Sequence, residues 1–130
     1  MLEAPDENPS FPHKETTERI IGAAFEVYNH LGYGYLEKVY QRSMQVELLR
    51  QKISAQLERR LNVRYKEVVV GDYDVDLIVE DLVLVELKIA PQYDKRDEAQ
   101  LLNALKASGL KISLLINFGR SKVEFKRFVL

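Results

Sequence analysis

The sequence predicts an α/β domain in which a mixed central sheet is flanked by helices, in the order α-α-β-β-β-α-β-β. Three observations carry this expectation. Two early stretches repeat apolar residues at the 3.6-residue helical period. The period then shortens to two, followed by short runs of Val, Leu and Ile of the kind that fill a sheet covered on both faces. One more helical stretch interrupts these strands, which fits a sheet sandwiched between helices. With 130 residues, 46% apolar and 30% charged, the chain has the size and composition of one globular domain.

Residues Met1 to His13 hold three of the four prolines and few aliphatics, so 1–13 is expected to be a disordered tail and 14–130 a single domain. The first helix is expected over about Thr17 to Leu31, where Ile20, Ile21, Ala24, Phe25, Tyr28 and Leu31 recur on one face and a threonine can cap the start. Gly32 and Gly34 break it. A second helix over about Leu36 to Gln51 aligns Leu36, Tyr40, Met44 and Leu48. Leu57, Leu61, Val63 and Tyr65 alternate with Glu58, Arg60, Asn62 and Arg64, as in a strand with one wet face. Lys66 to Val70 extends this strand toward a turn expected at Gly71-Asp72. Asp74 to Val79 and Leu82 to Ile89 read as central strands around Glu80-Asp81, and Pro91 closes the second. Asp94 or Asp97 can cap a third helix ending at Gly109. Leu110 to Asn117 and the alternation Val123, Phe125, Arg127, Val129 complete the sheet.

Composition excludes several chemistries. There is no cysteine, so disulfides, thiolate catalysis and thiolate-bound zinc are ruled out. His13 and His30 are too few for a histidine-rich metal centre. No apolar run approaches the length of a membrane span, and the acidic, proline-containing start lacks the basic and apolar segments of a secretory signal. A soluble, cytoplasmic protein is the expectation. The 19 basic and 20 acidic residues nearly cancel, for a formal charge of -1. Any surface for a polyanion must therefore be local. Walker, dinucleotide and nucleophile-elbow motifs are absent.

The informative stretch is DYDVDLIVEDLVLVELKIA. Asp76, Glu86 and Lys88 stand within two apolar strands, where polar side chains are costly unless paired or bound to a metal. Glu86 and Lys88 are two apart and so share a face. Whether Asp76 joins them depends on register. A two-residue turn at Glu80-Asp81 sets Asp76 opposite Val85, whereas a three-residue loop (Glu80, Asp81, Leu82) pairs Val79 with Val83 and sets Asp76 opposite Glu86. The second register, or a bulge with the same effect, is expected. Two carboxylates so placed suit a hard divalent cation such as Mg²⁺, with Mn²⁺ as a substitute, and a nearby ammonium could orient its water. Spacing alone leaves a second reading open, a structural salt bridge between Lys88 and an acid of the hairpin.

Val75-Asp76 followed by Glu86-Leu87-Lys88 resembles the D…(E)xK pattern of the PD-(D/E)XK nuclease superfamily. Gly34-Tyr35-Leu36-Glu37-Lys38-Val39-Tyr40 resembles the motif that names its GxxExxY branch. The similarity runs from about Glu18 to the C-terminus. It implies a restriction-endonuclease-like fold, with Asp76, Glu86 and Glu37 around the metal, Lys88 positioning water and Gln100 in support. In RecB-like members the corresponding glutamine opens a QxxxY motif; here the fifth position is Ala104, which puts the aromatic's contribution in doubt. Without the resemblance, Glu37 is one solvated acid among many, and Gly34 serves backbone geometry.

Weaker candidates remain. Tyr40 shares Glu37's face and lines the site or belongs to the core. Arg59, Arg60, Arg64 and Lys66 form a phosphate-tracking face or a solvated strand face, and Lys95 and Arg96 flank the third helix. Tyr33 and Tyr35 stack on bases or pack on the neighbouring helix. The leading function is Mg²⁺-dependent hydrolysis of phosphodiester bonds in nucleic acid, DNA ahead of RNA. The alternatives are a catalytically inactive binding or regulatory module that keeps the fold, and a structural partner subunit. A homodimer or a protein partner is an expectation from size alone.

Overall fold

The computed structural model describes residues 2–3 and 13–130. The expected tail lies outside the described residues, save for Leu2, Glu3 and His13. The elements are β1 (Leu2–Glu3), α1 (Lys14–Leu31), α2 (Glu37–Arg50), β2 (Ala55–Tyr65), β3 (Val68–Val79), β4 (Val83–Lys88), α3 (Arg96–Ser108), β5 (Ile112–Phe118) and β6 (Val123–Val129). Apart from β1, a two-residue strand beside β6 that the sequence did not suggest, the order is the predicted one. The sheet runs β1-β6-β5-β4-β3-β2, and only β4 and β5 pair in parallel. It is a mixed sheet flanked by helices, as in the restriction-endonuclease-like fold.

Helices α1 and α2 cover one face through Ile20, Ala24, Tyr40, Met44 and Leu48, which pack against Leu77, Val85, Leu87, Leu114 and Ile116. Helix α3 covers the other with Leu101, Ala104 and Leu105 against Ile78, Leu84, Leu115 and Phe128. The two layers explain why β4 and β5 read as unbroken apolar runs.

Local differences from the sequence reading have physical causes. Helix α1 starts at Lys14, before Thr17. Thr17 is buried, and its hydroxyl donates to the Lys14 carbonyl (2.9 Å) while accepting from Arg127 Nε (3.2 Å), so it caps nothing. The β2–β3 turn lies at Lys66 and Glu67 (φ 47 and 70), not at Gly71-Asp72. The β-branched run Val68 to Val70 favours strand and draws Gly71 into β3, where the register slips between Val63↔Gly71 and Arg64↔Val69. At the start of α3, Asp94 Oδ1 accepts from the Arg96 backbone N–H (2.9 Å), and Gly109 closes the helix in the left-handed region at φ 74.

The hairpin β2–β3 exchanges faces partway along. Ala55 and Leu57 on β2, with Leu77 and Val79 on β3, pack in the α1/α2 layer. Leu61 on β2, with Tyr73 and Val75 on β3, packs in the α3 layer. A regular pleat keeps residues of one parity on one face, so both strands must break step between these groups. The ladder there runs Leu57↔Leu77, then Arg59↔Val75, and leaves Glu58 and Asp76 unpaired between them. Glu58 takes φ 52, a left-handed conformation uncommon for glutamate.

Candidate functional site

The β3–β4 register is the one that brings Asp76 to Glu86. Val79 pairs with Val83, Ile78 with Leu84 and Leu77 with Val85. Beyond Leu77 the backbone ladder stops and side chains replace it. The Asp76 N–H donates to Glu86 Oε1 (3.0 Å), and the Leu87 N–H donates to Asp76 Oδ2 (2.8 Å). Asp76 Oδ1 and Glu86 Oε2 remain uncommitted among the described residues. Two carboxylates thus sit where the strands part, each anchored by one oxygen.

Helix α2 supplies the next residues. Glu37 is its first residue, half-buried. One turn on, the buried Gln41 donates from Nε2 to the Asp76 carbonyl (2.9 Å) and fixes the backbone at the face exchange. Glu37, Gln41, Glu58, Arg60, Asp74 and Asp76 line an open cavity of about 490 Å³ between α2 and the β2–β3 arm.

The acids repel one another in a poorly hydrated place. Burial is the main cause of a raised Glu86 pKa, pushed up to about 8. The Asp76 charge adds to this, with Glu37 a smaller contributor, while the Asp76 N–H and Lys88 oppose it. Asp76 is raised by burial and by Glu58, against the Leu87 N–H and Lys88. Glu37 is raised by burial, by Asp76 and by Asp97, with Lys88 opposing. Lys88 is therefore the cation that all three acids share, and Asp97, in the first turn of α3, belongs to the same electrostatic cluster.

The acids fit a hard cation that keeps much of its water. Among the described residues, no three His, Asp or Glu side chains form a closed metal cluster. Two uncommitted carboxylate oxygens and an adjoining open cavity match instead the habit of Mg²⁺, which binds through one or two carboxylates and retains several waters.

Other predicted residues fall elsewhere. Gln100 is exposed on α3 and makes no contact with the acids among the described residues. Ala104 is 3% exposed in the α3 core, so the position of the expected aromatic is a packing position here. Tyr40 does not line the site: it is fully buried, stacked on Phe118 at 4.5 Å, and its hydroxyl bonds the Gly32 carbonyl and accepts from the Tyr35 N–H (3.4 Å). It braces the loop before Glu37, in which Gly34 takes φ 116. Tyr33 and Tyr35 are exposed.

The basic residues of the arm do not make one face. Arg60 lines the cavity and pairs with Asp74 at 3.0 Å, whereas Arg59 lies in a separate hollow beside Leu61 and Leu110 and pairs with Asp81 at 3.6 Å. Arg64 donates to the Glu67 carbonyl (3.2 Å), and Lys66 lies over the Tyr65 ring. At α3, Arg96 is held by Asp94 at 2.8 Å. Sequence reasoning missed Gln41, Glu58, Asp97 and Asn117. For Gln41 a signal existed, its i,i+4 spacing from Glu37.

The family model of the PD-(D/E)XK nuclease superfamily matches residues 14–128. Among solved structures, the crystal structure of SSO0001 is similar, with a TM-score of 0.56 and 13% identity over 87% of this chain and 76% of that one. At that identity the likeness concerns the fold. No curated protein matches the sequence. No helix among the described residues is long and apolar enough to cross a membrane.

Proposed function

The chain belongs to the PD-(D/E)XK nuclease superfamily, and on that premise we propose that it is a Mg²⁺-dependent nuclease hydrolysing phosphodiester bonds in DNA. The observation that carries this reading is the parting of β3 and β4 at Asp76 and Glu86, where each carboxylate spends one oxygen on backbone and keeps the other uncommitted. A purely structural ion pair gives no reason for three acids of raised pKa around one lysine.

Asp76 and Glu86 would hold the cation, and Glu37 would assist them directly or through water. When bound, the divalent ion supplies Lewis-acid polarisation of a phosphate oxygen and lowers the pKa of coordinated water. The Lys88 ammonium orients the attacking water and stabilises charge developing on the phosphate. Gln41 keeps Asp76 in place through its carbonyl. Arg60 and Lys38 are the cations of the cavity wall, paired with Asp74 at 3.0 Å and Glu58 at 3.7 Å, and would exchange these partners for phosphates of the substrate. Gln100, exposed on α3 and not part of the cavity wall, keeps only a supporting role in this reading.

Calorimetric titration of Mg²⁺ and Mn²⁺ into the wild type and the Asp76→Ala/Glu86→Ala double variant tests this, beside a cleavage assay on duplex and single-stranded DNA and on RNA. Metal binding lost in the variant, together with metal-dependent cleavage by the wild type, is the expected result. Equal and negligible binding by two folded proteins would sink it and leave a binding module that keeps the nuclease fold.

A further inference from the structure

Strand β4 ends at Lys88, and the three residues after it, Ile89, Ala90 and Pro91, lie outside the sheet ladder. A strand end is where backbone freedom returns, and Pro91 has no N–H with which to extend the pairing. The structure closes this gap with a side chain. Asn117, 1% exposed on β5 and paired in register with Lys88, turns its carboxamide onto Ala90. Its Oδ1 accepts from the Ala90 N–H (3.0 Å), and its Nδ2 donates to the Ala90 carbonyl (2.9 Å). The amide thus acts as one more peptide unit of the parallel ladder, two residues past Lys88.

The neighbouring turn fastens the same segment from the other side. The Arg120 N–H donates to the Pro91 carbonyl (3.1 Å), and the Tyr28 hydroxyl holds the Gly119 carbonyl (2.7 Å). A Cβ at Gly119 would stand 2.9 Å from the Lys122 carbonyl oxygen and 3.1 Å from that of Pro91, so only glycine lets the turn approach this closely. A buried amide that satisfies both polar groups of one residue is specific, because removing it orphans a donor and an acceptor together.

We infer that Asn117 is a positioning residue for Lys88, fixing the end of β4 and with it the place from which the ammonium acts on the Asp76–Glu86 pair. The inference rests on the nuclease reading of that site. Asn117 touches no substrate, so its loss acts on turnover and leaves substrate binding to the cavity wall. An ångström of misplacement at a reacting group costs on the order of 100-fold.

The experiment compares the full-length wild type with Asn117→Ala, Asn117→Asp and Gly119→Ala. It measures single-turnover kcat and KM on the cleaved nucleic acid, Ala90 amide exchange, and the acetylation rate of Lys88 relative to exposed Lys106. Asn117→Ala is expected to speed Ala90 exchange roughly tenfold or more, lower kcat about 10- to 100-fold, leave KM unchanged and alter Lys88 acetylation. Asn117→Asp keeps an acceptor for the Ala90 N–H but sets a buried carboxylate against the Ala90 carbonyl, so it should lose kcat selectively as well. If Asn117→Ala does not fold, Gly119→Ala, whose Cβ would crowd the Lys122 and Pro91 carbonyls and stand 3.3 Å from Asn117 Nδ2, should give the same selective loss of kcat. Faster Ala90 exchange with unchanged kcat overturns the inference, as does an equal loss in kcat and rise in KM. If the wild type cleaves nothing, the nuclease reading fails by itself, and Lys88 acetylation still decides: a rate unaltered when Ala90 exchanges freely overturns the positioning role.

Discussion

A carboxyl group held at about pH 8 against an ordinary 4.5 makes Glu86 the titrating residue with the largest consequence for stability. The folded protein keeps a proton there that the unfolded chain has released. The stabilisation is therefore fully present below about pH 4.5 and lost as pH rises to about 8. Thermal melts in chelator from pH 5 to 9 should show stability declining over that window. Glu86→Gln, which still accepts from the Asp76 N–H and cannot titrate, should flatten the decline and melt higher than wild type at pH 8. A wild type whose melting is indifferent to pH would contradict this account of the acids. Lys88→Met keeps the apolar stem and removes the cation that Glu37, Asp76 and Glu86 share. It should slow cleavage by about 100-fold or more, read by single-turnover kinetics, and leave Mg²⁺ binding no weaker by calorimetry, since the charge removed repels the cation. Asp76, Glu86 and Lys88 were legible in the sequence because a charge inside an apolar strand demands a reason. Gln41 and Asn117 were not, because an amide carries no charge and looks ordinary on a helix or at a strand end until its partner is known.

Among the elements, the loop ahead of α2 is the one that the core sets most directly. Tyr40 is buried on Phe118 and holds that loop through two hydrogen bonds of its hydroxyl. Tyr40→Phe should cost about 1–3 kcal/mol by urea denaturation, the penalty for leaving a carbonyl and an N–H with lost partners. Tyr40→Ala, which also opens a cavity, should cost about 3–5 kcal/mol. Periodicity gave the helices and the order of helices and strands along the chain, since each layer writes its own apolar repeat. It misplaced the β2–β3 turn because Gly71 and Asp72 carry turn chemistry, whereas the turn is made by Lys66 and Glu67 in left-handed conformations that such residues rarely adopt. The face exchange at Glu58 was also invisible, because one apolar residue of odd number looks like another whichever helix it will meet.

For the whole molecule, the acids are a standing cost that the proposed cation would relieve. Mg²⁺ at a hundred times its Kd should stabilise the fold by about 2.7 kcal/mol. The gain should be larger at pH 8 than at pH 6, because protons compete for Glu86 at the lower value. Melts with and without Mg²⁺ would show this, and the Asp76→Ala/Glu86→Ala variant should show no response. The two-layer architecture was readable from the chain because helical and two-residue periods alternate along it. The two-residue strand β1 was not, since so short a segment has no period to read.

The face exchange in the β2–β3 hairpin also limits how the chain can change length. On the turn side of Glu58 and Asp76, removing matched pairs from both strands shortens the arm without moving Asp76 along β4, and only the pairs that hold Arg60, Asp74, Leu61 and Tyr73 take cavity wall or α3 packing with them. On the sheet side the same cut would slide Asp76 along β4 and part it from Glu86. A single deletion on either side would turn half the ribbon inside out, offering leucines to water and arginines to the core. Length is free in one direction and frozen in the other, and the border between the two runs through the acid that lies deepest in the chemistry.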